Sequence, residues 1–398
     1  MSYQFHQRGG FRGSRSNFRG QSSRGGRPVR SFNPYQIVRS SELQSARTFE
    51  PEVIEHQFSD FGISPELLLN LKRKGYEKPT PIQDKTIPEI LKGTDVIGIA
   101  NTGTGKTAAF LVPLIEKILK DRQEKVLILS PTRELAAQIQ AEFYAYSSGM
   151  RISSVLCIGG VNEGPQRYNL RKPHNLVVGT PGRLKDLVND RFLDLSTFQT
   201  VVLDEADHMV DIGFLPDIKY LVSKVPVSRQ SLFFSATIDG KVQEILSAFV
   251  KNPVTISVRT RDTVDNIRQV IVKVANQAKK VDQLHDMLIK DEFEKVLIFG
   301  RTKWGVQKLS DELVSRGFRS GVIHGNKSQS QRQRTLDSFK RNEIKILLAT
   351  DVAARGLDIP NVSHVINYDL PESSDAYIHR IGRTGRADKK GTALTFVD

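Results

Sequence analysis

The residues best suited to chemistry form one glycine-rich run, which reads Ala100-Asn101-Thr102-Gly103-Thr104-Gly105-Lys106-Thr107. The run follows an apolar strand candidate and opens a helix candidate. Glycines let consecutive backbone N–H groups curl around phosphates, and a helix N-terminus adds a positive dipole. Lys106 adds a cation, and the Thr107 hydroxyl can bind Mg²⁺. Ala100 replaces the first glycine of the usual phosphate-binding pattern G-x-x-x-x-G-K-T. The position between a strand and a helix nevertheless predicts a site for a nucleoside triphosphate.

Two adjacent carboxylates are the second chemical feature. Asp204 and Glu205 directly follow the apolar run 201–203. A phosphate loop needs an acid on a neighbouring strand to hold Mg²⁺. We therefore expect Asp204 to orient the metal and Glu205 to accept a proton from an attacking water. A solvated acidic turn is the alternative, but the position after a buried strand favours the catalytic interpretation.

The elements that must position these residues alternate along the chain. Apolar runs typical of strands occupy 95–100, 126–130, 153–158, 176–180, 200–203 and 231–235, and amphipathic segments lie between them. After the polar stretch 258–266, strand candidates return at 267–274, 295–299, 320–324, 345–350, 364–368 and 392–397. Such alternation predicts α/β domains with parallel sheets. We expect a first domain at 49–257, a linker at 258–266 and a second domain at 267–398.

Composition excludes several classes of protein. The 398 residues contain no run of 18 apolar residues and no apolar signal segment at the N-terminus, so neither a membrane span nor secretion is expected. Cys157 is the single cysteine, which excludes disulfides and a cysteine-based zinc site. We therefore expect a reducing, cytoplasmic location.

The net charge of +14 points to a polyanionic partner, and much of it is concentrated at the N-terminus. Residues 1–41 contain eight arginines and no acid, and four of the arginines lie in RGG or FRG triplets. This composition cannot bury enough apolar surface to fold, so residues 1–48 are predicted to be a disordered tail. Arginine interleaved with phenylalanine favours RNA binding, because guanidinium groups meet phosphates and rings stack on bases. A solubilising tail is the alternative.

An ordered series of short motifs across about residues 58–397 resembles the DEAD-box RNA helicases, a branch of helicase superfamily two. In the first half, the motifs are GYEKPTPIQ (75–83) with Phe58 upstream, PTRELA (131–136), GG (159–160), TPGR (180–183), DEAD (204–207) and SAT (235–237). In the second half, they are LIFGRT (297–302), QSQR (329–332), ATDVAARGLD (349–358) and YIHRIGRTGR (377–386).

The resemblance implies two RecA-like domains with an ATP cleft between them, and Mg²⁺ as the second cofactor. Gln83 is expected to read the adenine edge, with Phe58 packed on the ring, so ATP should be preferred over GTP. Lys78 is assigned to the nucleotide site, and Asp358 is expected near the ribose. Arg383 and Arg386 would reach the γ-phosphate from the second domain as arginine fingers.

The same resemblance implies RNA as the partner, in single-stranded and duplex form. Backbone contacts to RNA are expected from Thr132, Arg133, Gly160, Thr180, Arg183, Thr302 and Thr350. Coupling between ATP and RNA is expected through Asp207, Ser235, Thr237 and His379. The expected activity is RNA-stimulated ATP hydrolysis with local, non-processive unwinding or ribonucleoprotein remodelling, by a monomer. An ATP-gated RNA clamp with little turnover and a DNA-directed helicase remain as alternatives.

Overall fold

The computed structural model describes residues 53–101, 103–238, 240–258, 266–354, 359, 361–385 and 390–397. The predicted tail at 1–48 and most of the predicted linker lie outside these ranges. Three predicted site residues, Thr102, Asp358 and Arg386, also lie outside them.

The first domain is built on a parallel sheet of seven strands. The strands are β1 (Val96–Ile99), β2 (Val126–Leu129), β3 (Ser154–Cys157), β4 (Leu176–Gly179), β5 (Thr200–Leu203), β6 (Gln230–Ser235) and β7 (Val254–Ser257). Their order across the sheet is β3-β4-β2-β5-β6-β1-β7, and every neighbouring pair is parallel. This confirms the expected parallel α/β architecture.

Helices cover both faces of this sheet. They are α1 (Pro65–Arg73), α2 (Pro81–Leu91), α3 (Lys106–Lys120), α4 (Arg133–Tyr146), α5 (Gly164–Leu170), α6 (Pro181–Asn189), α7 (Ala206–Ile212), α8 (Leu215–Lys224) and α9 (Gly240–Phe249). One apolar cluster forms on each face, which is why the central strands are apolar without alternation. All four residues of β2, for example, are buried.

The second domain repeats the plan with six parallel strands. They are β8 (Ile267–Lys273), β9 (Val296–Phe299), β10 (Ser320–Ile323), β11 (Ile346–Ala349), β12 (His364–Asn367) and β13 (Gly391–Val397), in the order β10-β11-β9-β12-β13-β8. The helices are α10 (Lys280–Leu288), α11 (Lys303–Ser315), α12 (Gln329–Lys340), α13 (Asp351–Ala354) and α14 (Ser374–Ile381). Two further apolar clusters lie on the faces of this sheet.

Strand β7 is the one strand of the first sheet that the sequence analysis did not predict. It pairs with β1 at the edge of the sheet, and only Ile256 of its four residues is buried. A half-exposed edge strand lacks the continuous apolar run that identified the central strands. Its place in the sheet therefore depends on pairing with β1 rather than on a local pattern.

The parallel arrangement brings the chemical residues to one edge of each sheet. In such a sheet, the carboxyl ends of all strands lie on the same side, and ligands bind there. The glycine-rich run follows β1, Thr132 follows β2, Asp204 follows β5 and Thr302 lies shortly after β9. Within the described ranges, no helix combines the length and the apolar character needed to cross a membrane.

Candidate active site and nucleic-acid interface

The phosphate loop is held in a curled conformation between β1 and α3. Gly103 and Gly105 have φ values of 87° and 93°, in the left-handed region that favours glycine. The buried Lys106 donates from Nζ to the Ala100 carbonyl oxygen at 2.7 Å, which ties the start of α3 back to the end of β1. The Thr104 hydroxyl donates to the Asn101 carbonyl oxygen at 2.8 Å, and Thr107 lies half-buried in the first turn of α3.

Gln83 connects this loop to the N-terminus of α2. Its side chain is fully buried, its Oε1 accepts from the Thr80 backbone N–H at 2.9 Å, and its Nε2 donates to the Gly105 carbonyl oxygen at 3.0 Å. A side chain at position 105 would collide with the Gln83 amide. Both ends of the amide group are therefore engaged by the protein in this arrangement, and adenine recognition by Gln83 stays a prediction.

The other two residues expected near the base, Phe58 and Lys78, both precede Gln83 in the sequence. Phe58 is buried and meets the rings of Phe61 and Tyr76 edge-on, at centroid distances of 6.0 and 6.1 Å. Lys78 is exposed to solvent. The structure thus places Phe58 within an aromatic cluster of the first domain, and its stacking on adenine stays a prediction.

The acidic pair lies at the sharp turn between β5 and α7. Asp204 is 2% exposed, and its Oδ1 accepts from the Glu205 backbone N–H at 3.1 Å. Glu205 has a φ of 50°, a left-handed conformation that is unusual for a residue with a side chain. Backbone strain of this kind is often found at functional sites, because the surrounding structure must hold it in place. Here the left-handed conformation forms the sharp turn that presents two consecutive carboxylates at the end of β5.

The two carboxylates differ electrostatically. Burial raises the pKa of Asp204, and the neighbouring Glu205 carboxylate raises it further. Burial also acts to raise the pKa of Glu205, but the His208 ring, Lys106 and Arg383 outweigh it and lower that pKa below its ordinary value. The lowered pKa favours the ionised form of Glu205, which is the form that a proton acceptor requires.

Asp207 joins the acidic turn to the segment after β6. Its Oδ2 accepts from the backbone N–H groups of Ala236 and Thr237, at 3.2 and 3.1 Å, and from the Thr237 hydroxyl at 3.1 Å. The Asp207 backbone N–H donates in turn to Ser235 Oγ at 3.3 Å, and Ser235 Oγ donates to the Thr237 carbonyl oxygen at 2.8 Å. Three of the predicted coupling residues thus form one hydrogen-bonded unit.

The predicted arginine finger that the structure describes is Arg383, which follows α14. It is only 4% exposed, and its Nε donates to the carbonyl oxygen of His379, the fourth predicted coupling residue, at 3.1 Å. Arg383 of the second domain is close enough to Glu205 of the first to lower its pKa. The charge of Arg383 therefore acts electrostatically across the boundary between the two domains.

Arg380, on the last turn of α14, makes its contacts within the second domain. It forms a bidentate pair with Asp351, at 2.5 and 2.7 Å, and donates to the Asp369 carbonyl oxygen at 2.6 Å. Its guanidinium group also lies over the Phe299 ring. These contacts fix α14 to the sheet of the second domain, and so they set the position from which Arg383 extends.

The predicted RNA contacts of the first domain follow the ends of β2, β3 and β4. Thr132 caps α4 by accepting from the Leu135 backbone N–H at 3.2 Å. The Arg133 guanidinium group lies against Gly160, whose φ is 74°, and a side chain at position 160 would displace it. Thr180 is buried, and Arg183 has buried nitrogens without a hydrogen-bond partner. These five positions lie along the carboxyl edge of the sheet.

Arginine side chains are crowded along this edge. Burial lowers the pKa of Arg133, and the neighbouring charges of Arg332 and Arg183 lower it further. The second domain adds Thr302, which caps α11 by accepting from the Gly305 backbone N–H at 3.0 Å, and the buried Thr350 after β11. Crowded cations gain stability when a polyanion neutralises them, and an RNA backbone supplies such charge.

A buried contact between the two domains involves residues to which the sequence analysis assigned no role. Glu134 Oε1, in the first turn of α4, accepts from Gln329 Nε2 and from an Arg332 Nη2, both at 2.9 Å. Gln329 and Arg332 lie one turn apart on α12. We call this contact the Glu134 latch. Both segments were recognisable as motifs, but nothing in the sequence showed that they face each other.

Removing the latch should weaken closure of the two domains. For Arg332→Ala we expect the RNA concentration for half-maximal ATPase stimulation to rise by about tenfold or more, because truncating one partner of a buried charged pair costs about 2–5 kcal/mol. The measurement is ATPase rate against RNA concentration. Arg334→Ala is the matched control, since Arg334 is exposed on the same helix and the change in charge is identical. Equal effects of the two substitutions would contradict a role for the latch.

Comparisons with known proteins identify the family of the chain. The DEAD/DEAH box helicase family model matches residues 80–245, and the helicase conserved C-terminal domain model matches residues 279–388. The chain is similar to the DEAD-box ATP-dependent RNA helicase CshA of Bacillus licheniformis, with 45% identity over 342 residues, which are 85% of this chain and 70% of the relative.

The chain is also similar to solved structures of one relative. S. cerevisiae Dbp5 bound to RNA and ADP BeF3 gives a TM-score of 0.77 at 32% identity, covering 86% of this chain and 90% of Dbp5. A Dbp5 variant bound to Nup159, Gle1, IP6 and ADP gives 0.61 at the same identity, covering 84% and 89%. The chain belongs to the DEAD/DEAH box helicase family.

Proposed function

We propose that the protein is an ATP-dependent RNA helicase, in which RNA-stimulated ATP hydrolysis drives local, non-processive duplex unwinding or ribonucleoprotein remodelling. One observation carries the proposal: the buried Lys106 of the first domain and the buried Arg383 of the second both lower the pKa of Glu205, a residue of the first domain, through their positive charges. Neither domain alone has the complete set. Activity therefore depends on closure, and any ligand that spans both domains promotes it.

The nucleotide occupies the edge of the first sheet. The phosphates lie in the loop from Ala100 to Thr107, which includes Thr102, and the base lies near Phe58, Lys78 and Gln83, with Asp358 near the ribose. In the described part of the chain, no three His, Cys, Asp or Glu side chains converge on a metal cluster. Mg²⁺ would instead be held by Thr107 and Asp204 together with phosphate oxygens and water, which suits a cation that keeps much of its hydration.

Hydrolysis follows from the roles of four side chains. Glu205 orients a water molecule and accepts its proton as the water oxygen attacks the γ-phosphorus. The bond to the β–γ bridging oxygen breaks, and ADP leaves with the charge on its terminal phosphate. Lys106, Arg383 and Arg386 stabilise the charge that develops on the transferred group. Held by Thr107 and Asp204, a Mg²⁺ ion would supply additional positive charge near the phosphates.

RNA lies across the carboxyl edges of both sheets, in contact with Thr132, Arg133, Gly160, Thr180 and Arg183 on one side and Thr302 and Thr350 on the other. These groups suit the phosphate–sugar backbone, so binding carries little sequence preference. The hydrogen-bonded unit of Asp207, Ser235 and Thr237, together with His379, couples closure of the two domains to the nucleotide site. We further propose that the protein works in the cytoplasm as a monomer and meets RNA within ribonucleoprotein particles.

The test is steady-state ATPase activity of the full chain, with and without single-stranded RNA. We expect strong stimulation by RNA and little turnover of GTP, because the Gln83 amide complements adenine. Stable RNA binding with ATP but almost no turnover would favour the alternative of an ATP-gated clamp. Stronger stimulation by a matched DNA strand would overturn the assignment of RNA as the substrate.

A further inference from the structure

A concave, strongly basic surface lies at the end of the first sheet opposite to the candidate active site. Its hollow of about 790 Å³ lies among the loops that lead into β2, β3 and β4. The charged or titratable residues that line it are Arg122, Lys125, Arg151, Arg171, Lys172 and His174. We call this surface the basic basin. The residues that line it include no aspartate and no glutamate.

Hydrogen bonds between the three loops hold the basic basin in shape. The Arg122 side chain, before β2, donates to the Met150 carbonyl oxygen, before β3, at 3.0 Å. Asn175, before β4, donates from Nδ2 to the Arg122 carbonyl oxygen, also at 3.0 Å. Ser153 joins the second and third loops through a 2.8 Å bond to the Pro173 carbonyl oxygen. The hollow is therefore a built feature of the fold rather than a chance approach of flexible side chains.

The charge in the basic basin calls for an anionic partner. Five cationic residues line one concavity, and Arg122, Arg151, Arg171 and Lys172 are all exposed. Like charges gathered in a concave surface focus a positive potential and raise the local concentration of anions. A partner with closely spaced negative charges can neutralise several of them at once, as a nucleic acid backbone does when it releases its counterions.

The strand order relates the basic basin to the predicted RNA contacts. Thr132, Gly160 and Thr180 follow the carboxyl ends of β2, β3 and β4, and the basin precedes the amino ends of the same three strands. Strands of four residues are about 13 Å long at about 3.3 Å per residue. Strand β3 is also the edge of the sheet. An RNA that leaves the predicted interface and bends around this edge reaches the basin after a short path.

We propose that the basic basin is a second RNA-binding site, which takes the phosphate backbone of the segment that flanks the strand held across the two domains. The inference rests on the proposed function, since it takes RNA as the substrate. The basin lies wholly within the first domain, so opening of the cleft after hydrolysis does not dismantle it. It therefore retains the substrate between successive rounds of closure.

The experiment compares two RNAs on the full-length chain with a non-hydrolysable ATP analogue. One RNA is a short single strand that fills only the interface across the domains, and the other carries the same strand with a flanking duplex. The test variant combines Arg151→Asn, Arg171→Gln and Lys172→Gln; asparagine suits position 151, where φ is 51°. The control variant combines Lys273→Gln, Lys290→Gln and Lys308→Gln, three exposed residues of the second domain with the same total charge change.

The native chain should bind the flanked RNA more tightly than the short strand. The test variant should keep its affinity for the short strand and lose most of the gain from the flank, and the slope of log affinity against log salt should fall by about two to three. Equal affinity of the native chain for both RNAs, or an equal loss in the control variant, overturns the inference while the proposed function stands. Failure of the native chain to bind even the short strand overturns the proposed function itself.

Discussion

Glu205→Gln is expected to lower RNA-stimulated ATP hydrolysis by about 10²- to 10⁴-fold, the range that general acid–base catalysis contributes. Glutamine keeps the size of the side chain and its hydrogen-bonding oxygen, but it cannot accept a proton. ATP and RNA binding should survive, because neither the phosphate loop nor the arginine-lined edge changes. The measurement is steady-state ATPase activity at saturating RNA, together with RNA affinity in the presence of ATP.

The control for this substitution is Glu244→Gln, which removes a carboxylate from an exposed position on α9 with the same change in charge. Its ATPase rate should equal that of the native chain. A Glu205→Gln protein that still hydrolyses ATP within tenfold of the native rate would show that another group activates the water. The buried Asp204 beside it would be the first candidate for that group.

Arg383→Ala is expected to lower the maximal RNA-stimulated rate by about 10³-fold or more, since arginine fingers contribute about 10³ to 10⁵ in rate. Arg383 is buried, and its positive charge in the second domain lowers the pKa of Glu205 in the first. Its loss removes positive charge where the transferred phosphoryl group develops negative charge. The expected signature is a fall in kcat with little change in ATP affinity, because the phosphate loop of the first domain is intact.

Arg341→Ala provides the matched control, since Arg341 is an exposed arginine of the second domain whose partner is Glu343. Lysine at position 383 should rescue only part of the rate, because an ammonium lacks the planar fork of a guanidinium. A variant that loses ATP affinity and keeps kcat would contradict the transition-state role, and it would place Arg383 in ground-state binding instead.

The amino-acid sequence by itself determined the parallel α/β architecture and the edge at which chemistry occurs. Apolar runs such as Val126–Leu129 become central strands because both of their faces are buried. Chemical residues that follow such runs must then gather at one edge, as the phosphate loop after β1 and Asp204 after β5 do. Local pattern alone was sufficient for these predictions, because strand burial and turn geometry are set within a few residues.

Only the tertiary structure decided how distant segments meet. Glu134 and Arg332 are almost two hundred positions apart, and Glu205 and Arg383 lie in different domains, so no local pattern relates them. The conformation of Gln83, whose amide holds the phosphate loop, likewise depends on the packing of α2 against α3. The pairing of edge strand β7 with β1 and the assembly of the basic basin from three loops also depend on contacts between separate segments. Such contacts depend on the order of the strands in the sheet and on side-chain packing. The sequence pattern of a single helix or strand specifies neither of these.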